Sequence, residues 1–130
     1  SYVNFCKSNL SYVNFTGANL EGADFTRATI ENANFSGANM HRAILCRTKG
    51  AGVNLDSCNL QEADLSLSDF SSATLKFANL TNANLGGCMM FNADLTAANL
   101  KKCSLKGAIL SGAEFNESCR ATLPMGGVLH

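Results

Sequence analysis

The strongest constraint on the fold is a large apolar residue that returns at every fifth position, without a frame shift, from Phe5 to Phe115. Of these 23 positions only Gly50 breaks the rule. Two positions before each large residue lies a small one, most often alanine, and the residue directly before it is usually Asn or Asp. The other two positions of each five-residue block are mostly polar or glycine, so this range is a single internal repeat.

No ordinary element buries residues that are spaced by five. In a strand, alternation would place successive large residues on opposite faces. In an α-helix, steps of five would scatter them around the cylinder. They share one core only if the chain turns about a common axis at every block. The large residue and the small residue two before it then point inward together, because alternate residues of an extended segment share a face.

Blocks such as TGANL, EGADF, SGANM, QEADL, TNANL, FNADL and TAANL resemble the A-(D/N)-L-x-x motif of the pentapeptide-repeat family, and the match covers residues 1–115. The resemblance implies an all-β fold, a right-handed quadrilateral parallel β-helix of about six coils with four blocks per coil. Residues 20 apart should then stack at the strand spacing of ~4.8 Å. This predicts an internal column through Leu60, Leu80 and Leu100, an amide ladder from Asn19 to Asn99, and ring stacking where Phe is concentrated, in the first two coils.

The two ends of the chain differ from the repeat. We expect residues 1–115 to form the β-helix and residues 116–130 to form a capping turn or tail, because Arg120 stands where a large apolar residue is due. The repeat is already in phase at Ser1, which suggests an excised domain or a first coil covered by upstream sequence. Apolar residues of the tail would cover the last coil: Leu123, Met125 and Val128.

Two features could provide a basic surface. The block CRTKG lacks a large inward residue, so we expect Arg47–Gly52 to leave the wall, either as a tolerated defect or as a basic binding loop carrying Arg47 and Lys49. Lys7, Arg27 and Arg47 are spaced by 20 and share one outward column, which is either a solvated face or a narrow anion-binding strip. A second basic corner is solubilising: Lys101, Lys102 and Lys106.

Outward positions near the end of the repeat carry apolar residues. Met89 and Ile109 stand 20 apart in the slot usually held by Asn or Asp, Phe91 lies beside them, and Leu67 lies near the adjoining corner. A contiguous exposed apolar group indicates contact with something. These four residues are the candidate partner-binding site, and a protein partner, a self-dimer or the folded-back tail would each explain them.

The six cysteines predict no disulfide framework. No two of them within the repeat are 20 apart, so none stacks directly on another. Cys58, Cys88 and Cys103 occupy the small inward slot in place of alanine, and Cys119 lies in the tail. Neither a CxxC motif nor a Cys/His zinc spacing occurs. Reduced thiols in a cytoplasmic compartment are therefore expected, with no metal or other cofactor.

Charge and motif content narrow the function classes. The formal net charge is zero, so no direct nucleic-acid binding is expected, and no apolar run approaches the ~20 residues of a membrane span. The histidines are His41 and His130, no catalytic motif surrounds the serines, and the paired glycines are not followed by Lys-Ser/Thr as in a phosphate loop. The chain is therefore not expected to be an enzyme.

The prediction is a non-enzymatic protein-interaction scaffold or adaptor with an unknown protein partner, and self-association through an end coil or an upstream domain is a further possibility. Some eukaryotic family members carry the solenoid behind an oligomerising BTB domain and look like ubiquitin-ligase adaptors. The alternative implied by the resemblance is a DNA mimic that inhibits a topoisomerase or gyrase. Such mimics present a strongly negative rod, which zero net charge disfavours.

Overall fold

The computed structural model describes residues 2–115, where the chain winds around four walls with one five-residue block in each. Parallel backbone bridges join residues 20 apart, beginning with Asn4–Asp24 and ending with Asp94–Glu114. Every strand is a single bridging residue, the fourth of its block, and no α-helix occurs between residues 2 and 115. The predicted period of 20 residues per coil is confirmed.

We name the walls A to D in chain order. Wall A begins with residues 2–5, wall B with 6–10, wall C with 11–15 and wall D with 16–20. Every later segment of a wall lies 20 residues further along the chain. Wall B therefore comprises residues 6–10, 26–30, 46–50, 66–70, 86–90 and 106–110.

A tight turn connects each wall to the next. The N–H of the third residue of a block donates to the carbonyl of the large residue that ends the preceding block, as Ser8 donates to Phe5 at 3.1 Å. The second residue of the block has a positive φ, 62° at Lys7, as a type II turn requires at its third position. In most blocks this second residue is exposed, so its side chain forms the outer surface of the corner.

The inward residues form one continuous core. From Leu20 to Leu110 the large residues of the repeat are at most 5% exposed. In the first two coils, Phe5 stacks on Phe25 with ring centroids 5.0 Å apart, and edge-to-face contacts link these rings to the neighbouring phenylalanines. The predicted ring stacking is therefore confirmed, and burial of these apolar columns is the main stabilising term.

Wall D shows the predicted stacking most regularly. Leu60, Leu80 and Leu100 are fully buried, and backbone bridges join the asparagines that precede them. The amide ladder is present in its first two steps, where Asn39 donates to Asn19 at 3.5 Å and Asn59 donates to Asn39 at 3.4 Å. These hydrogen bonds are long, so the backbone bridges rather than the amides set the coil spacing.

The Asn and Asp residues of the fourth slot stabilise the corners. The side-chain oxygen of each accepts a hydrogen bond from the N–H two residues further on, as Asp24 accepts from Thr26 at 2.9 Å. This Asx turn satisfies a backbone donor that lies outside the coil-to-coil ladder. Where Thr74 replaces the Asx residue, Asp56 accepts the N–H of Lys76 at 2.9 Å instead.

The prediction that Arg47–Gly52 leaves the wall as a basic loop carrying Arg47 and Lys49 is wrong. Backbone bridges join Lys49 to both neighbouring coils, so this block continues wall B without a bulge. The ring of Phe70, one coil further on, occupies the space that a side chain at Gly50 would take. A β-carbon at position 50 would lie 2.8 Å from Phe70 Cε1. The missing inward residue therefore leaves no void for the wall to collapse into.

The small inward position also accommodates polar side chains where a backbone carbonyl can accept a hydrogen bond from them. Ser68 is buried, its hydroxyl donates to the carbonyl of Leu45, and it accepts the N–H of Thr48 at 2.9 Å. The thiols of Cys58 and Cys88 donate to carbonyls of the preceding coil in the same way, at 2.9 Å and 2.7 Å. No buried side-chain nitrogen or oxygen in residues 2–115 lacks a partner.

Thiol reactivity should separate the cysteines. The five in the described range form no disulfide, and burial raises the pKa of Cys58 and of Cys88 to about 12. At pH 8 only about one such thiol in 10,000 would be ionised, and the thiolate is the nucleophile. We therefore expect iodoacetamide to modify the partly exposed Cys46 far faster than Cys58 or Cys88 in the native protein, as peptide mass spectrometry would measure.

The matched control for that experiment is the urea-unfolded chain, in which the cysteines should react at similar rates. Mild reductant should leave the melting temperature unchanged. An intramolecular bridge found by mass spectrometry of unreduced protein would contradict the expectation.

Cys119, the expected capping tail and Arg120 all lie in residues 116–130, outside the described residues.

Candidate functional site

The structure brings the four predicted partner-binding residues together around one block, residues 86–90 of wall B. Met89 and Ile109 are bridged neighbours in adjacent coils. Phe91 follows the same block at the corner to wall C. Leu67 leans from the coil before onto Gly87, because a β-carbon at position 87 would lie 2.8 Å from Leu67 Cδ2. We call these four residues the apolar patch.

The residues of the apolar patch are exposed. The exposed fraction is 52% for Leu67, 40% for Met89, 38% for Phe91 and 37% for Ile109. A β-carbon at Gly107 would touch no side chain, so the corner beyond Leu67 is bare backbone. Other exposed apolar side chains lie elsewhere, Ile44 on wall A and Phe77 on wall D, and do not extend this patch. Exposed apolar side chains of this kind suit a protein contact.

The basic residues lie on the same wall. Lys7, Arg27 and Arg47 all have positive φ and are exposed, so they form the predicted outward column of wall B. Lys49 is exposed in the fourth slot of that wall. No ion pair neutralises any of these four residues within the part of the chain that the structure describes.

Sequence reasoning missed a cluster on wall A. His41 Nε2 lies 2.9 Å from Glu62 Oε2, and His41 Nδ1 lies 3.3 Å from Glu21 Oε2. Arg42 also reaches Glu62, at 3.5 Å. Hydrogen bonds to Glu62 and Glu21 raise the pKa of His41, and the bond to His41 and the nearby Arg42 lower the pKa of Glu62. The spacings of 20 and 21 residues are the signal that would have found this cluster.

The His41 cluster predicts a pH dependence of stability. A pKa raised above its ordinary value near 6.5 means that the folded state binds the proton more tightly. The stabilising contribution is therefore fully present below about pH 6.5 and is lost as the pH rises through the folded-state pKa. We expect His41→Gln to lower the melting temperature more at about pH 6 than at about pH 9.

NMR titration of His41 measures the same quantity directly, and Glu62→Gln should move its pKa downward. Lys102→Gln, an exposed change on the same wall, should not. A His41 pKa at or below 6.5 in the native protein would contradict the geometry.

Two exposed tyrosines were also not singled out from the sequence. Tyr2 and Tyr12 are 70% and 77% exposed. The ring of Tyr2 lies against Gly22, and the hydroxyl of Tyr12 accepts a hydrogen bond from Asn32 at 3.3 Å. They lie on walls A and C, away from the apolar patch.

Among the described residues, no cluster of three or more His, Cys, Asp or Glu side chains could hold a metal ion. The same range contains no helix with the length and hydropathy needed to cross a bilayer.

Coils of four single-residue strands, joined by type II turns around an apolar interior, define a four-sided β-solenoid. The family of pentapeptide repeats matches this sequence in eight copies, over residues 1–27, 8–45, 51–87 and 88–119. The chain belongs to the pentapeptide-repeat family, whose members fold as right-handed quadrilateral β-helices, so the predicted fold class is confirmed.

Solved structures of other pentapeptide repeat proteins are similar. Rfr23 from the cyanobacterium Cyanothece shares 27% identity, with a TM-score of 0.65, over 89% of this chain and 86% of its own. A protein from the thylakoid lumen of Arabidopsis thaliana shares 28%, with a TM-score of 0.55, over 90% and 74%. HetL from Nostoc, involved in heterocyst differentiation regulation, shares 24%, with a TM-score of 0.50, over 88% and 79%. No curated protein matches the sequence significantly.

Proposed function

We propose that this chain is a non-enzymatic protein-interaction scaffold or adaptor that binds a protein partner through the apolar patch. The observation that carries the proposal is the grouping of the exposed residues Leu67, Met89, Phe91 and Ile109 around one block, whereas Ile44 and Phe77 are exposed on other walls. In the fourth slot Met89 and Ile109 stand where most blocks have Asn or Asp, whose side-chain oxygen accepts the N–H two residues further on. The apolar side chains cannot form this hydrogen bond. A contact surface explains that exchange.

The rigidity of the wall supports the same role. Met89 is held by bridges to the coils on both sides, and its backbone N–H and carbonyl both join the coil-to-coil ladder. The backbone of such a wall loses little conformational freedom on binding, which reduces the entropic cost of association. A DNA mimic needs a negative rod, and the basic column on wall B departs from that requirement.

The test replaces Met89 and Phe91 with serine together. Surface changes usually alter stability by less than ~0.5 kcal/mol, whereas an interface anchor contributes more than ~1 kcal/mol to binding. We expect an unchanged melting temperature and an association with the partner weakened about fivefold or more. Pull-down with wild-type and variant solenoids measures the association, and sedimentation at several concentrations measures self-association.

Phe77→Ser is the matched control, because Phe77 is 67% exposed and lies on wall D, away from the patch. It should affect neither stability nor association. A sharp fall in melting temperature for the Met89/Phe91 variant would show that these side chains are internal packing. Equal association of the wild type and this variant would also contradict the proposal.

A further inference from the structure

The basic column meets the apolar patch on wall B, where Leu67 continues the column beyond Arg47 and Met89 and Ile109 lie in the fourth slot of the same wall. The exposed second slot of wall B reads, coil by coil, Lys7, Arg27, Arg47, Leu67, Gly87 and Gly107. Backbone bridges along wall B hold these six positions in register. The basic half ends at Arg47, and the apolar half begins with Leu67 in the next coil.

Positive charge is in excess on wall B although the chain as a whole is neutral. Wall B carries Lys7, Arg27, Arg47, Lys49 and Lys106 and a single acidic residue, Asp69. The neighbouring wall C carries only acidic residues among its charged groups: Glu31, Asp94 and Glu114. The carboxylate of Asp69 accepts the N–H of Ser71 at the corner toward wall C, and within the described residues it forms no ion pair with the basic residues of wall B.

We infer that wall B binds one extended protein segment that is acidic at one end and apolar at the other. Its carboxylates would lie against Lys7, Arg27 and Arg47, and its apolar side chains against Leu67, Met89 and Ile109. This inference rests on the proposed function and names the partner's chemistry. Five coil steps of ~4.8 Å span about 24 Å, the length of about seven extended residues.

Other anionic occupants fit this column less well. A nucleic acid carries phosphates along its whole length, so part of its backbone would lie against Leu67 and Met89 and lose hydration there, and of the basic residues of wall B only Lys106 lies in that half. A segment with its charge confined to one end matches the charge and the burial of both halves.

The test uses fluorescein-labelled synthetic peptides of about eight residues, because the natural partner is unidentified. One set has three Asp or Glu residues next to four Leu, Ile, Val or Phe residues, in both orders, and control sets are only acidic or only apolar. Fluorescence anisotropy measures affinity at two salt concentrations. We expect the mixed peptides in one order to bind at least about tenfold more tightly than either control set, with an affinity that falls as salt rises.

The decisive variant is Arg27→Asn with Arg47→Asn, since Asn tolerates positive φ. It should weaken binding of the mixed peptide about tenfold and remove most of its salt dependence. The matched control, Lys101→Asn with Lys102→Asn on wall A, removes the same charge and should change affinity less than about twofold. The melting temperature of each variant shows that it is folded.

Each other outcome overturns the inference. If the Arg variant binds mixed peptides normally while Met89→Ser with Phe91→Ser abolishes binding, the patch is a contact surface without its basic half, and the proposed function stands alone. If the acidic peptide or a labelled oligothymidylate binds as tightly as the mixed peptides, wall B recognises any anion. If no peptide binds at millimolar concentration, an extended segment is not the ligand of wall B. The same conclusion follows if sedimentation shows that a second copy of the chain occupies this wall.

Discussion

Replacing Leu80 with aspartate is expected to destabilise the solenoid by several kcal/mol, a large fraction of the stability of a domain of this size. Leu80 is fully buried in the middle of wall D, between Leu60 and Leu100 of the adjoining coils. An aspartate there either remains charged without a partner or is forced to become neutral. Chemical denaturation followed by circular dichroism measures the loss of unfolding free energy.

The matched control for this change lies in the same block. Phe77→Asp introduces the same carboxylate at a position that is 67% exposed and has a φ of 61°, a conformation that Asp tolerates. Its effect should be within about 0.5 kcal/mol. Cooperative unfolding of the Leu80 variant near the wild-type midpoint would show that Leu80 is not inside the tube.

Restoring the repeat at its one defect is expected to weaken the protein. Gly50→Leu supplies the large inward residue that every other block has, but the ring of Phe70 already fills that space. Overpacking of a close-packed core costs roughly 1–3 kcal/mol. The prediction is therefore a lower unfolding free energy for a change that sequence consensus would call stabilising.

Phe70→Leu provides the rescue. Alone it leaves a cavity beside Gly50, but combined with Gly50→Leu it gives two leucines in adjacent coils, as on the other walls. The double variant should be more stable than the sum of the two single effects by about 0.5–3 kcal/mol, measured in a double-mutant cycle. Additive effects, or a stabilised Gly50→Leu single variant, would contradict the proposed filling of position 50 by Phe70.

The five-residue period is sufficient to predict the four walls. It does not predict features that depend on side chains in the adjacent coil. The constant spacing of five placed Leu60, Leu80 and Leu100 in one column and the four apolar patch residues near one another. Gly50 was misinterpreted because a missing side chain looks like a defect until the volume of Phe70, 20 residues later, is considered. Volume complementarity between coils is not visible in the period itself.

The candidate surface on wall B was only partly predictable for a related reason. Net charge summed along the chain is zero, and only sorting residues by wall reveals the basic surplus on wall B. The contacts of His41 with Glu21 and Glu62 depend on side-chain conformations as well as on spacing. The role of the Asx residues as acceptors at the corners likewise requires the turn geometry.

Because each block occupies one wall, the surface is sensitive to the length of an insertion or deletion rather than to its composition. Removal of residues 51–55 would leave every inward residue pointing inward, although the ring of Phe70 would no longer lie over Gly50. All later blocks would nevertheless move to the preceding wall, and the apolar patch would turn a quarter turn away from Arg27 and Arg47. Removal of 20 residues would preserve the orientation and shorten only the rod. In this protein, the angular position of a surface residue is therefore set by a count of residues, modulo one coil.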